Sequence, residues 1–167
     1  MQVAYLGQES LDAGVKQFGE TVNFIAQNTI EDAFHSVENL NAHYAVLPAR
    51  FEVYQRLVSS NLNIIAQREN RYLVIGPLQS AATGNDKTSV GFVLEDRPGV
   101  LNELMQPLSQ SGLSLLKIES QSISNDNARF FFYMEINGHI NDIGKGLEKA
   151  LTVAKSYRIL GSFGKSQ

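Results

Sequence analysis

Cysteine is absent from all 167 residues, which excludes disulfides, thiolate metal sites and cysteine nucleophiles. Positive charge is not in excess. Lysine and arginine number 14 against 17 aspartates and glutamates, a net charge of -3, so the basic surface typical of nucleic-acid binders is missing. No stretch approaches the ~18 uninterrupted apolar residues of a membrane-spanning helix. Met1 to Gly7 (MQVAYLG) has no basic segment ahead of its short apolar run, unlike a signal peptide. Neither GxGxxG nor GxxxxGK[ST] occurs, and His35, His43 and His139 are scattered without an i,i+4 pair. No metal site and no cofactor is therefore expected. These absences point to a soluble cytoplasmic protein with no nucleic-acid and no membrane partner.

What is present is a globular composition. Hydrophobic residues make up 43% and charged residues 19%, too apolar for a disordered chain. The length admits one domain or two small ones with a real core.

The first part alternates strand and helix signals. Val3 to Leu6 is a short apolar run ended by Gly7, and Leu11, Val15 and Phe18 then recur on one helical face. Thr21 to Ala26 is β-branched and aromatic, a second strand. Thr29 followed by Asp32 is a near capping box, with Ile30, Ala33, Phe34 and Val37 as the apolar face behind it. Tyr44 to Leu47 makes a third strand stopped by Pro48. This βαβαβ order predicts a parallel sheet. A weaker helix over Glu52 to Ser59 and two short strands, Asn63 to Ala66 and Tyr72 to Ile75, complete residues 1–76. Residues 77–86 (PLQSAATGND) are small, polar and turn-rich, a linker.

Residues 87–167 follow another grammar. Lys87 to Glu95 reads as a strand, Asp96-Arg97-Pro98-Gly99 as a turn, and Val100, Leu101, Leu104 and Leu108 as a helix face. Leu113 to Ile123 is a long strand, Asn125-Asp126-Asn127 a turn, and Ala128 to Ile136 another strand. Ile140, Ile143, Leu147 and Leu151 keep helical spacing, and Tyr157 to Phe163 closes with a strand. The order βαββαβ is the ferredoxin-like split unit. Pro107 removes a backbone donor inside the first helix, so a kink or early break is expected there.

The second part resembles the ACT regulatory domain of prephenate dehydratases. The resemblance is carried by Lys87-Thr88-Ser89-Val90, Arg97-Pro98-Gly99-Val100-Leu101, Leu115-Leu116-Lys117-Ile118-Glu119-Ser120, Phe131-Phe132-Tyr133, Gly138-His139 and Leu160-Gly161-Ser162. The first part is similar to the same enzymes through Val3 to Gly7, Thr29 to Phe34 with Val37-Glu38, and Tyr44 to Pro48. The implied fold class is α/β: a reduced single-lobe domain with a parallel or mixed sheet, then a ferredoxin-like ACT domain.

The catalytic part of that family has two lobes, the second inserted between the third strand of the first lobe and a returning strand. Here one short helix follows Pro48, and Arg71 to Gly76 already resembles the returning strand. The resemblance implies that the second lobe is missing. Where the family has Thr-Arg-Phe, with a threonine linked to dehydration, this chain has Asn70-Arg71-Tyr72. Glu-Asn-Ser-Thr is replaced by Arg50-Phe51-Glu52-Val53, and Gly-Pro-Glu-Gly-Thr-Phe is reduced to Gly7-Gln8-Glu9-Ser10-Leu11. Expelling hydroxide and carbon dioxide from prephenate needs an acid at the leaving hydroxyl and a dry cavity. No catalytic residue is assigned.

In the phenylalanine-regulated family the effector sits at a dimer interface, held by the loop that starts the first ACT helix and by the end of the second strand. This implies Pro98, Gly99, Val100, Leu101 and Asn102 opposite Glu119, Ser120 and Gln121 as the ligand site. The family's Glu-Ser-Arg-Pro stands here as Glu119-Ser120-Gln121-Ser122. An exposed helix N-terminus with glycine suits a carboxylate, although Gly99 also reads as a plain turn and Val100 and Leu101 as core. Ser10 reads as a helix N-cap rather than a nucleophile. His139 shapes a turn, and Arg50 and Arg71 are solvated charges or relics of carboxylate binding. Phe130 to Tyr133 reads as core and interface before nucleic-acid stacking.

The expected function is a non-catalytic, prephenate-dehydratase-like homodimer that binds phenylalanine or another amino acid as a sensor or regulatory partner in aromatic amino-acid synthesis. The alternatives are a minimal prephenate dehydratase with an intersubunit active site, and a structural partner that dimerises with a full-length prephenate dehydratase.

Overall fold

The computed structural model describes residues 1–123 and 126–166. In chain order it contains β1 (Gln2–Tyr5), α1 (Gln8–Phe18), β2 (Asn23–Ala26), α2 (Ile30–Glu38), β3 (Tyr44–Pro48), α3 (Phe51–Val58), β4 (Asn63–Arg68) and β5 (Tyr72–Gly76). Then follow β6 (Asp86–Glu95), α4 (Val100–Gln110), β7 (Leu115–Ile123), β8 (Asp126–Asn137), α5 (Ile140–Leu151) and β9 (Ser156–Gly164).

The first sheet has the order β2-β1-β3-β5-β4. β1 pairs in parallel with β2 and β3, while β5 runs antiparallel to β3 and β4. The sheet is therefore mixed, and its parallel half is the part built from βαβ units. One face, with Val3, Val46, Tyr72 and Val74, packs on Ala13 of α1. Gly14 keeps that helix close, since a Cβ there would meet the Phe24 ring at 2.9 Å. The other face, with Ala4, Ala45, Leu47, Leu73 and Ile75, packs on α2 and α3. Thr29 caps α2 as its spacing predicts, its hydroxyl accepting from Asp32 N–H at 3.0 Å.

The second sheet is antiparallel, in the order β7-β8-β6-β9. Val90, Phe92, Leu94, Met134 and Ile136 point to one face, where Leu104 and Leu108 of α4 and Ile143, Leu147 and Leu151 of α5 cover them. The opposite face is not open to water. Phe131, Tyr133 and Phe163 share one apolar cluster with Val53, Tyr54 and Leu57 of α3. Gly91 lets α3 approach β6, because a Cβ there would lie 2.6 Å from a Val58 methyl. Arg158 of β9 donates to the carbonyls of Leu57 (2.8 Å) and Leu62 (2.6 Å) and to Asn63 Oδ1 (2.9 Å). Of these acceptors the Leu57 carbonyl belongs to the last turn of α3, where helical i+4 donors run out and Ser60 N–H also donates to it.

A charged group lies inside this junction. Lys87 Nζ meets Glu135 Oε1 at 2.9 Å with both side chains under a tenth exposed. Tyr133 donates to Glu135 Oε2 at 2.7 Å and shares a 2.8 Å hydrogen bond with Ser89. Both Glu135 oxygens are thus bonded, Oε1 by Lys87 and Oε2 by Tyr133, which offsets part of the cost of burying the pair.

Two local expectations are corrected. Of the kink or early break expected at Pro107, the break does not occur: α4 continues through Pro107 to Gln110. The carbonyl that loses its donor belongs to Glu103, an exposed residue. Ser10 is not an N-cap: α1 begins at Gln8 with Gly7 in the cap position, which buries Ser10 in the first turn. In the turn assigned to Asn125-Asp126-Asn127, Asn125 lies outside the described residues, and the backbone of 126 and 127 already belongs to β8. Residues 77–85 carry no helix or strand, but Ser80 and Thr83 anchor them to Ile65, His139 and Asp86. Among the described residues no helix is long and apolar enough to cross a membrane.

Candidate functional site

A hollow of about 450 Å³ opens where β6 hands over to α4. Its rim is Glu95, Asp96, Arg97 and Gly99, one wall is Val100, Leu101 and Asn102, and the other is Ser120 of β7 with Phe130 and Phe132 of β8. Strand pairing explains the assembly. Leu94 sits opposite Phe130 and Phe92 opposite Phe132, and Phe132 in turn pairs with Ser120. Phe132 stacks nearly parallel on Phe92, with ring centroids 5.3 Å apart, which fixes the aromatic wall.

The helix end supplies the polar part. Gly99 adopts φ 82 and ψ -4, a left-handed conformation, and no side chain caps α4. A Cβ at Gly99 would meet nothing within 4 Å, so backbone conformation, not space, calls for glycine there. Glu103 N–H donates to Gly99 O, whereas the N–H groups of Leu101 and Asn102 find no acceptor among the described residues. Such donors, backed by the helix dipole, favour an anion.

The rim charges differ in their partners. Arg97 forks onto Glu103 (3.0 and 2.5 Å), which holds the Glu103 carboxyl below its ordinary range. Glu95 pairs with Lys155 at 2.9 Å, and that hydrogen bond lowers its carboxyl likewise. Asp96 is exposed and has no ion-pair partner among the described residues.

The structure brings five of the eight residues anticipated from sequence into this hollow: Gly99, Val100, Leu101, Asn102 and Ser120. Pro98 sits in the loop without lining it. Glu119 and Gln121 flank Ser120 on a pleated strand and face the other side. There Glu119 pairs with Lys117 at 3.1 Å, and Gln121 lines a separate groove with Glu52, Gln55 and Phe131. Sequence reading missed Phe130, Phe132 and Asp96, although the alternation through Phe130 to Tyr133 carried the signal for the two rings.

The other candidates disperse. Asn70 and Glu69 have φ 53 and φ 54 and form the tight β4–β5 turn, closed by Arg71 N–H donating to Arg68 O at 2.9 Å. Arg71 is two-thirds exposed and lies 3.9 Å from Glu9, which accepts from Tyr72 Oη at 2.7 Å. Arg50 is exposed at the start of α3. His139 caps α5, its Nδ1 accepting from Asn141 N–H while Nε2 faces Ser80 O. Among the described residues no three His, Asp or Glu side chains gather as metal ligands.

Residues 88–150 match the ACT domain family, and the chain carries an ACT domain. Curated relatives include bifunctional chorismate mutase/prephenate dehydratases. That of Stutzerimonas stutzeri is 34% identical over 98 residues, 58% of this chain and 27% of that protein. That of Neisseria gonorrhoeae is 35% identical over 95 residues, 56% of this chain and 26% of that protein. The aligned part of this chain thus spans about a quarter of their length. Among solved structures, GqqA, described as a novel type of quorum quenching acylase, gives a TM-score of 0.84 at 18% identity, covering 99% of this chain and 95% of that one. Prephenate dehydratase from Streptococcus mutans gives 0.82 at 21%, covering 100% of both chains. Prephenate dehydratase from Arthrobacter aurescens, solved in complex with L-Phe, gives 0.80 at 16%, covering 99% and 90%. At these identities the structural likeness speaks for the fold.

Proposed function

We propose that this chain is a non-catalytic, prephenate-dehydratase-like ACT protein whose hollow at the start of α4 binds phenylalanine or another amino acid. The carrying observation is the hollow itself. Unpaired N–H groups of Leu101 and Asn102 stand across from the Phe130 and Phe132 rings. The first can take a carboxylate and the second an apolar side chain. A related fold solved with L-Phe supports the choice of ligand.

Ser120 places β7, an edge strand of the ACT sheet, on the wall of the hollow. The opposite edge, β9, packs against β4. A second copy added along β7 would pair its free backbone groups and close the hollow. The reading is therefore a homodimer that senses an amino acid and acts as a regulatory partner in aromatic amino-acid synthesis.

The absence of catalysis is argued from two features. Only residues 49–71 separate β3 from β5, and they form α3, β4 and turns, with no second lobe to close a cleft. Asn70, where the resemblance places a reactive threonine, occupies a left-handed turn position.

Thermal denaturation with and without each amino acid tests the binding claim. A ligand present at about 100 times its dissociation constant raises stability by about 2.7 kcal/mol. A melting temperature unmoved by every amino acid refutes it. Phenylpyruvate formed from prephenate by the purified protein refutes the non-catalytic claim.

A further inference from the structure

We infer that Asp96 is the ammonium anchor of the hollow and makes it selective for α-amino acids over the corresponding α-keto acids and simple carboxylates. The inference rests on the amino-acid reading of the hollow and adds the group that decides which charge state is accepted.

The argument is one of charge accounting around a single cavity. Of the charged residues on its rim, Arg97 is tied to Glu103 and Glu95 to Lys155. Asp96 is left as a carboxylate with no ion-pair partner among the described residues, yet it lines the same hollow as Leu101 and Asn102. Its backbone is fixed, since Asp96 N–H donates to Ala128 O at 2.7 Å and Arg97 N–H to Glu95 O at 3.1 Å. The hollow therefore presents one uncompensated negative group and one partly positive helix end. An α-amino acid carries its ammonium and its carboxylate on one carbon, so it offers a cation for Asp96 and an anion for the helix end in the same hollow. A keto acid or a simple carboxylate satisfies the helix end but brings a second negative charge beside Asp96 and leaves it without a cation. The aromatic wall does not distinguish these ligands, because an amino acid and its keto acid share one side chain. A site built this way registers the aminated product of a transamination and ignores the keto acid that feeds it.

Calorimetric titration of the full chain with L-phenylalanine and with 3-phenylpropionate, which lacks only the amino group, is the test. Wild type is expected to favour L-phenylalanine by about tenfold or more, the scale of one charge-assisted hydrogen bond. Asp96→Asn keeps the side-chain shape and removes the charge. It is expected to weaken L-phenylalanine while leaving 3-phenylpropionate equal or tighter, bringing the two within about twofold. An unchanged preference in Asp96→Asn overturns the inference, as does wild type binding both ligands equally. Wild type that binds neither overturns the amino-acid reading of the hollow, and the role of Asp96 falls with it. Because Asp96 is exposed, the variant's melting temperature should stay close to wild type, which separates lost recognition from lost fold.

Discussion

The Tyr54 ring of α3 lies face to face on the Tyr133 ring of β8, with centroids 3.6 Å apart and planes 5° from parallel. Quadrupoles disfavour such a sandwich relative to offset or edge-on pairs. What holds the rings together is burial: both side chains are almost inaccessible to water, and burial pushes both phenol groups well above their ordinary pKa. The pair joins a helix of the first sheet to the ACT sheet, so the two halves share one core.

Truncating Tyr54 should therefore cost global stability. Tyr54→Ala leaves a cavity against Tyr133 and is expected to lower unfolding free energy by about 3–5 kcal/mol, as large aromatic truncations do. Urea denaturation followed separately by far-UV circular dichroism and tyrosine fluorescence checks this. In wild type the two probes should give one coincident transition. Two separated transitions in wild type would show that the halves unfold independently and that the shared core couples nothing.

The charged group beneath α3 gives a prediction with a built-in control. Lys87→Met leaves Glu135 buried without its cation, a change that costs about 3–5 kcal/mol in buried pairs. Replacing both partners, Lys87→Met with Glu135→Leu, removes the desolvated charges together and should recover most of that loss. Tyr133 keeps a partner in the double variant, because Ser89 lies 2.8 Å away. A double variant no more stable than Lys87→Met would show that the pair is not coupled.

Gly161 of β9 lies against the backbone of Ile64 in β4, where the two sheets meet. Its φ is 152, and an added Cβ would sit 2.2 Å from the Ile64 carbonyl oxygen. That neighbour is backbone and cannot rotate away, so Gly161→Ala must push β9 off β4. The expected loss exceeds about 3 kcal/mol, combining backbone strain with a displaced interface. Gly84→Ala is the comparison. It also has positive φ (86) but nothing within 4 Å, so it should lose only the conformational part, about 1 kcal/mol. Equal melting temperatures for the two variants would refute the steric account.

Much of this architecture was legible in the sequence because it is local. The spacing of Leu104 and Leu108, the Thr29 cap and the alternation through Phe130 to Tyr133 each leave a periodic or positional trace. The junction was not legible. Lys87, Ser89 and Glu135 are polar strand positions that look like a solvent face, and packing against α3 and β4, distant in sequence, turns that face into an interior. The site was half legible for a related reason. Gly99 to Asn102 are consecutive on one helix end, but Glu119-Ser120-Gln121 reads as one continuous motif in sequence, whereas a strand sends alternate residues to opposite faces. Asp96 and Phe130 meet only through the pairing of β6 and β8, which no short window contains.

Acid sensitivity should trace in part to Asp86. Burial pushes its carboxyl up, but hydrogen bonds from the Thr83 hydroxyl (2.7 Å), Thr83 N–H (2.8 Å) and Gly84 N–H (3.1 Å) outweigh that and hold it below its ordinary range. A carboxyl lowered in the folded state binds its proton more readily when unfolded. Its contribution to stability is thus complete above the ordinary value of about 4 and is lost as pH falls through the folded value. Urea midpoints should fall between pH 5 and pH 3 in wild type and fall less steeply in Asp86→Asn, which is already destabilised at pH 5. Parallel slopes in the two proteins would assign the acid sensitivity to other carboxylates.

Asn70→Thr offers a direct test of whether a reactive centre could be rebuilt at the position where the resemblance places one. Restoring threonine would place a β-branched residue at φ 53, in a turn whose other central residue, Glu69, is also left-handed. Asparagine tolerates that region and threonine does not. The substitution should therefore destabilise the protein by about 1–2 kcal/mol and give no turnover of prephenate. Asn70→Gly, which suits the same conformation, should leave stability within about 0.5 kcal/mol of wild type. Measurable phenylpyruvate from Asn70→Thr would mean that the β4–β5 turn can be reshaped into a functional loop, and the non-catalytic reading of this chain would have to be abandoned.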